Sequence, residues 1–155
     1  MKKGRRIDLT ARRVKGTSRS ATYQRGQILA AIYTRVSTDK QELTRQNEEL
    51  KKFLKANTIL AEDGETTIPK YVVWNGIGYQ DQAKSGHTFQ REDLQRMLTD
   101  AKMNKFEVVI TWGLSRLGRN LKETVNYLDD LEQAGVDYHD CQMNLWYSED
   151  MHRTL

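Results

Sequence analysis

The segment FEVVITW, Phe106–Trp112, constrains the fold more than any other stretch of this chain. It is short, β-branched and apolar without alternation, as a strand reads when both of its faces are covered in the middle of a sheet. The segments around it have a different period. Arg91–Lys102 places Leu94, Met97, Leu98 and Ala101 on one helical stripe, and Asn120–Ala134 does the same with Leu121, Val125, Leu128 and Leu131. Gly135 supplies the stop expected after a helix, and a further strand is expected from Val136. Upstream, Leu29–Val36 reads as a strand and Asp39–Asn57 as a helix with Leu43, Leu50, Phe53 and Leu54 on one face; KYVVW, Lys70–Trp74, is a short strand. This alternation predicts an α/β domain, a mainly parallel central sheet with helices on both faces. Segment 57–69 reads as an irregular connection ending in the one proline, and WNGIGYQ as a loop. The final MNLWYSEDMHRTL is expected to stop in the first turn of a further helix, with Trp146 and Tyr147 buried against the last complete one.

A chain of 155 residues has room for one core and a flexible end. No apolar run reaches the ~18 residues of a membrane span, and MKKGRRIDLTARRVKG lacks the apolar stretch of a secretory signal. The single cysteine, Cys141, excludes an internal disulfide framework and suits a reducing compartment. Charge is divided unevenly. Residues 1–28 hold nine Lys/Arg against Asp8 alone, a net +8, which leaves −4 for the rest of a chain whose total is +4. The expected organisation is a basic, flexible tail over 1–28 and one domain over 29–155. Lys2, Lys3, Arg5, Arg6, Arg12 and Arg13 make the tail a candidate for phosphate backbones read without regard to sequence. A disordered solubilising leader is the alternative, and an organelle transit peptide, for which the tail has no apolar face, is a third.

Several chemistries lack support. There is no G-x-x-x-x-G-K-[ST] phosphate loop, no G-x-S-x-G elbow, and the G-x-G of WNGIGYQ has no third glycine and no following helix. His87, His139 and His152 are scattered, so no metal site is expected. Arginine, by contrast, recurs where strands end. Arg35 closes the first strand, Arg91 opens a helix, and Arg116 and Arg119 follow the central strand in WGLSRLGRN, where one helical turn would place both on a face beside free N–H groups. In a parallel sheet these junctions share one edge, where ligands of open α/β sheets bind. Ser37 lies there too. Alone it reads as a helix cap, because STDKQ is a fair N-cap stretch. With arginines around it, it reads as a nucleophile for phosphoryl transfer, the guanidiniums offsetting charge on the phosphoryl oxygens without need of a metal.

Three segments, YTRVSTDKQELTRQ, YQDQAKSGHTFQREDLQRML and FEVVITWGLSRLGRNLKET, resemble in order and spacing the catalytic domain of the serine recombinases, the resolvases and invertases. The likeness runs from Ala30 to Val136. It implies a resolvase-like fold in which Ser37 attacks a DNA phosphodiester and becomes joined to the 5′-phosphate, Arg35 binds the scissile phosphate, and Arg116 and Arg119 stabilise the transition state and assist the leaving oxygen. It places Asp81, Ser85 and Arg91 along the same pocket, Gln41 and Gln46 as polar residues after the nucleophile, Tyr33 as the aromatic before it, and Glu107 at an acidic position opening the third strand. It implies double-stranded DNA as partner, no metal or nucleotide cofactor, and a cytoplasmic, nucleoid-associated protein of a bacterium, phage or mobile element. Ser115 departs from the pattern, which often has aspartate there.

Family members continue into a long interface helix and a DNA-binding region and act as paired dimers. The chain ends before these, so a monomer with weak recombination of its own is expected, either a piece of a longer protein or a truncated gene product. Two rival readings remain: a catalytically silent relative that binds DNA or poisons a full-length partner, and an unrelated α/β phosphate-binding enzyme in which Ser37 only caps a helix.

Overall fold

The computed structural model describes residues 24–36, 39–75, 78–82 and 91–147. Ser37, Ser85 and the tail cations Lys2, Lys3, Arg5, Arg6, Arg12 and Arg13 lie outside the described residues. β1 (Ile28–Val36) is the spine of the sheet. One of its edges is taken by β6 (Val108–Thr111); the other is shared by β4 (Tyr71–Val73), opposite Ile28–Ala30, and β5 (Tyr79–Gln82), opposite Tyr33–Val36. β7 (Asp137–Asp140) extends the sheet beyond β6, and all of these pairings are parallel. The last strand, β8 (Leu145–Tyr147), runs antiparallel to β7.

Period-two alternation sorts the two faces. Leu29, Ala31, Tyr33 and Val109 face α2 (Glu92–Lys102) and α3 (Leu121–Gln133), packing with Leu94, Met97, Leu98, Leu128 and Leu131. Ala30, Ile32, Val108 and Ile110 face α1 (Lys40–Ala56), meeting Leu50, Phe53 and Leu54. The helices do cover both faces, which is why β1 and β6 carry apolar residues at successive positions.

Several elements differ from the sequence reading. Segment 57–69 is a hairpin, β2 (Thr58–Leu60) against β3 (Thr67–Pro69), its turn tied by Asp63 Oδ1, which accepts from the N–H groups of Glu65 and Thr66 at 2.9 and 2.8 Å. Three-residue strands are too short to show a period. The polar YQDQ is strand β5, with Tyr79 and Asp81 turned inward. Gly78 precedes it at φ +73°, where a Cβ would lie 2.6 Å from the Ile32 carbonyl oxygen. On α3, Leu121 is 79% and Val125 53% exposed; Thr124 takes the inward position instead, packed so closely on Gly118 that a Cβ there would sit 2.2 Å from its Oγ1. Gly135 ends α3 in the left-handed region as expected, at φ +73°. Leu145–Tyr147 is strand, Trp146 packing on the α1 face and Tyr147 joining the α2–α3 side, while the helix turn expected at the end of the sequence lies outside the described residues. Gln24–Gln27 belong to the fold rather than to the tail, since Gln27 is buried and its Nε2 donates to the Pro69 carbonyl at 2.8 Å.

Beneath α1, fully buried His139 lies between Phe53, stacked on it at 4.7 Å between ring centroids, and Trp146, tilted against it at 4.1 Å. Neither ring nitrogen has a hydrogen-bond partner among the described residues. Burial holds its pKa below the ordinary histidine value, with Lys70 adding to this and Asp140 opposing it. The unfolded chain therefore takes up the proton first as pH falls, so this site is neutral to stability above about pH 6.5 and erodes it below, by up to about 1.4 kcal/mol per pH unit. The unfolding free energy of His139→Phe should fall less between pH 7 and 5 than that of the parent; equal slopes would remove His139 as the cause.

Candidate active site

The carboxyl ends of β1, β5, β6 and β7 lie along one edge of the sheet, and the register sets Arg35 beside Asp81 and Tyr33 between Tyr79 and Thr111. Asp81, buried in β5, accepts from the Tyr33 hydroxyl at 2.7 Å and from the backbone N–H groups of Asp93 and Leu94 at 2.9 and 3.0 Å. It therefore caps α2 from a neighbouring strand, which Arg91, at the cap position itself, does not do. Asp93 answers by accepting from the Gln80 N–H at 2.8 Å.

Arg91 is the hub. It is buried, and its Nη2 donates to the Tyr33 hydroxyl at 3.0 Å and to the Arg116 carbonyl at 2.9 Å. Its Nη1 is 4.0 Å from Glu123, and its guanidinium lies 5.6 Å from the ring centres of both Tyr33 and Tyr127. Tyr33 is thus held at both ends of its hydroxyl, donating to one partner and accepting from the other. Burial raises its pKa well above the ordinary tyrosine value, so it stays protonated.

After β6 the chain turns through a short 3₁₀ segment, Leu114–Arg116. Asp140, at the end of β7, fixes this turn by accepting from the Leu114 N–H at 2.8 Å, and Thr111 Oγ1 donates to the Gly113 carbonyl at 3.1 Å. Arg35 reaches across from β1 and donates through Nη2 to the Ser115 carbonyl at 3.2 Å. Burial lowers the Arg35 pKa and Arg91 lowers it further; Tyr33 opposes them, and Arg116 and Arg119 add smaller lowering effects. Three guanidiniums are thus near enough to repel that of Arg35, and an anion bound beside Arg35 offsets that repulsion.

Carboxylates of the protein partly offset this charge. Glu42, in the first turn of α1, pairs with Arg116. Glu123 pairs with exposed Arg119, Nη2 to Oε1 at 3.0 Å, and also accepts from the Arg119 N–H at 3.0 Å. This pairing raises the Arg119 pKa and lowers that of Glu123. Arg116 and Arg119 do not share a helical face as the spacing suggested. The 3₁₀ turn ends at Arg116, α3 begins only at Leu121, and its first turn is capped by Asn120 Oδ1, which accepts from the Glu123 N–H at 2.9 Å.

Of the other expected site residues, Gln46 is buried on α1 and its Nε2 lies 3.5 Å from the Arg35 carbonyl oxygen. Gln41 is exposed in the first turn of α1, and Ser115 is exposed, meeting Arg35 through its carbonyl. Glu107 is not brought to the site. It precedes β6 at the opposite, amino edge, where Oε2 accepts from the Leu29 N–H at 3.2 Å. Sequence reasoning missed Glu42, Glu123 and Asp140. Of these only Glu123 carried a local signal, four residues after Arg119 on a helix; the other two meet their partners only through the fold.

The model of the resolvase N-terminal domain family matches residues 30–155. The transposon Tn552 resolvase of Staphylococcus aureus is 26% identical over 113 residues, 73% of this chain and 46% of that protein, so the chain spans about half the length of this curated relative. Among solved structures, a resolvase family site-specific recombinase from Streptococcus pneumoniae is similar with a TM-score of 0.62 at 26% identity, covering 83% of each chain. The N-terminal catalytic domain of TP901-1 integrase matches with a TM-score of 0.56 at 26% identity, covering 76% of this chain and 80% of that one.

Proposed function

Since the chain belongs to the resolvase N-terminal domain family, we propose that it is the catalytic domain of a site-specific serine recombinase, and that Ser37 is its nucleophile. The observation that carries this reading is the convergence of Arg35, Arg91 and Arg116 on the sheet edge where β1 leads into Ser37. In the proposed step Ser37 Oγ gives its proton to solvent water, which returns one to the leaving oxygen, and attacks phosphorus. The Oγ–P bond forms, the bond from phosphorus to the 3′-oxygen breaks, and the 3′-oxygen leaves as a hydroxyl after taking up a proton. Arg35 and Arg116 bind the non-bridging oxygens, where negative charge builds in the transition state. Arg91 acts one step back, positioning the Arg116 turn and Tyr33. The phosphoserine linkage keeps the energy of the broken bond, so religation is the same step reversed.

Gln41, Gln46 and Ser85 are proposed to border the phosphate, and the Ser115 hydroxyl to stand where relatives often have a carboxylate. Double-stranded DNA is the proposed partner, with paired dimers as the proposed working assembly. The test is to incubate the protein with duplexes nicked so that the cut strand diffuses away, and to look for a denaturation-resistant protein–DNA adduct.

The tail is assigned the sequence-independent part of DNA affinity. Removing residues 1–23 takes away eight Lys/Arg and leaves the buried Gln27 in place. Binding to random duplex should weaken, and the plot of log affinity against log salt should flatten by about 0.9 for each phosphate that the shortened protein no longer neutralises. An unchanged slope would move that affinity to the folded domain.

A further inference from the structure

We propose that Glu42 is a functional residue of this site: its carboxylate holds the place of a DNA phosphate on Arg116 and leaves that guanidinium when the phosphate arrives. The inference rests on the recombinase reading above.

Three observations carry it. Glu42 bonds Nη2 of Arg116, while Nε of the same guanidinium is buried with no partner among the described residues. Nε and Nη2 together form the side-on fork with which arginine grips two oxygens of one phosphate. Glu42 thus occupies half of a phosphate fork whose other half stands ready. Second, the pair is neither sealed nor loose, since the side chains are 23% and 28% exposed. An incoming anion can reach it, while partial burial keeps the charges strongly felt.

Third, the arginines need a counter-charge in the absence of DNA, because Arg91, Arg116 and Arg119 already depress Arg35. Once a phosphate supplies that charge, a carboxylate on the same guanidinium becomes a like-charged neighbour. Glu123 is differently placed. It accepts from the backbone N–H of Arg119 as well as its side chain, which fixes it to the start of α3. Glu42 joins α1 to a turn distant in sequence, and the Gln41 N–H at the start of that helix is held by Asp39.

The experiment compares inorganic sulfate binding to the parent, Glu42→Gln and Glu42→Gln/Arg116→Gln proteins, followed by NMR of the arginine Nε–H signals. Glu42→Gln should bind sulfate about threefold or more tightly, the scale expected when one partly exposed ion-pair partner is removed. The gain should vanish in the double variant. In the parent, sulfate should shift the Arg116 Nε–H and Glu42 carboxylate signals together, a readout that needs no variant to fold. Unchanged or weaker sulfate binding by folded Glu42→Gln, or an Arg116 shift without one at Glu42, overturns the proposal. The DNA adduct separates the two readings. A Ser37-dependent adduct with unaltered sulfate affinity sinks the Glu42 inference alone, whereas tighter sulfate binding with no adduct counts against the recombinase reading and leaves Glu42 as the guard of an anion site.

Discussion

Ser37→Ala is expected to abolish covalent capture of DNA, by at least about a thousandfold as for loss of other enzymatic nucleophiles, and to leave the unfolding temperature of the domain unchanged. The second half follows from Asp39. The residue before α1 has extended backbone at φ −81° and ψ 107°, and its Oδ1 accepts from the Gln41 N–H at 2.9 Å. The cap that sequence alone could assign to Ser37 therefore belongs to Asp39, two residues on. Asp39→Ala should cost about 1 kcal/mol, the ordinary value of an N-cap, and lower the melting temperature by a few degrees. Denaturing gels of the adduct and calorimetry of both variants separate the roles. Persistence of the adduct in Ser37→Ala would place the nucleophile elsewhere. A fall in melting temperature matching that of Asp39→Ala would return Ser37 to capping.

The long elements were legible because their periods are strong. The Leu94–Ala101 stripe and the apolar run through Val108–Ile110 each match one environment, and both stand where the sequence puts them. What failed was short or satisfied at long range. β5 reads as polar because Asp81 looks like a surface residue until its three donors, all on other elements, are known. The α3 stripe was misjudged at its first turn, where the inward position goes to a threonine fitted against a glycine and two large apolar residues are left exposed. The arginines of the site were legible as a set, since strand ends in a parallel sheet share an edge. Their carboxylate partners mostly were not, because Glu42 and Arg116 are 74 residues apart.

This difference bears on how the site works. A cluster of arginines drawn from a motif suggests a positive surface waiting for DNA. The folded arrangement is closer to neutral, with Arg116 and Arg119 each on a glutamate. Phosphate binding then becomes an exchange of anions rather than a simple attraction, and its net favourability depends on how many guanidiniums the phosphate reaches at once. The sheet edge sets Arg35 beside the turn that carries Arg116, with buried Arg91 holding that turn from behind. Loosening that edge should therefore harm the chemistry as well as the fold.

Asp81→Ala is the substitution expected to do both, costing about 3–5 kcal/mol of stability. It strands the buried Tyr33 hydroxyl proton and uncaps two N–H groups of α2, those of Asp93 and Leu94. It also removes a negative charge from the helix end where one is favoured. Tyr33→Phe provides the comparison. It deletes the hydroxyl that joins Asp81 to Arg91 but keeps the cap on α2, and should cost nearer 1 kcal/mol, the usual worth of a hydrogen bond. Tyr33→Phe releases Arg91 from that hydroxyl, leaving it bonded to the Arg116 carbonyl and near Glu123, while Asp81→Ala frees the Tyr33 hydroxyl that Arg91 donates to from its own anchor. Both should therefore slow adduct formation to a similar degree, although only Asp81→Ala loses most of the domain's stability. Urea unfolding and single-turnover cleavage of nicked DNA measure the two effects separately. Equal stability losses would deny Asp81 its capping role, and normal cleavage by folded Tyr33→Phe would detach Arg91 from the chemistry. If the split appears as described, the buried Asp81–Tyr33–Arg91 chain is what ties the start of α2 to the arginines that meet the phosphate.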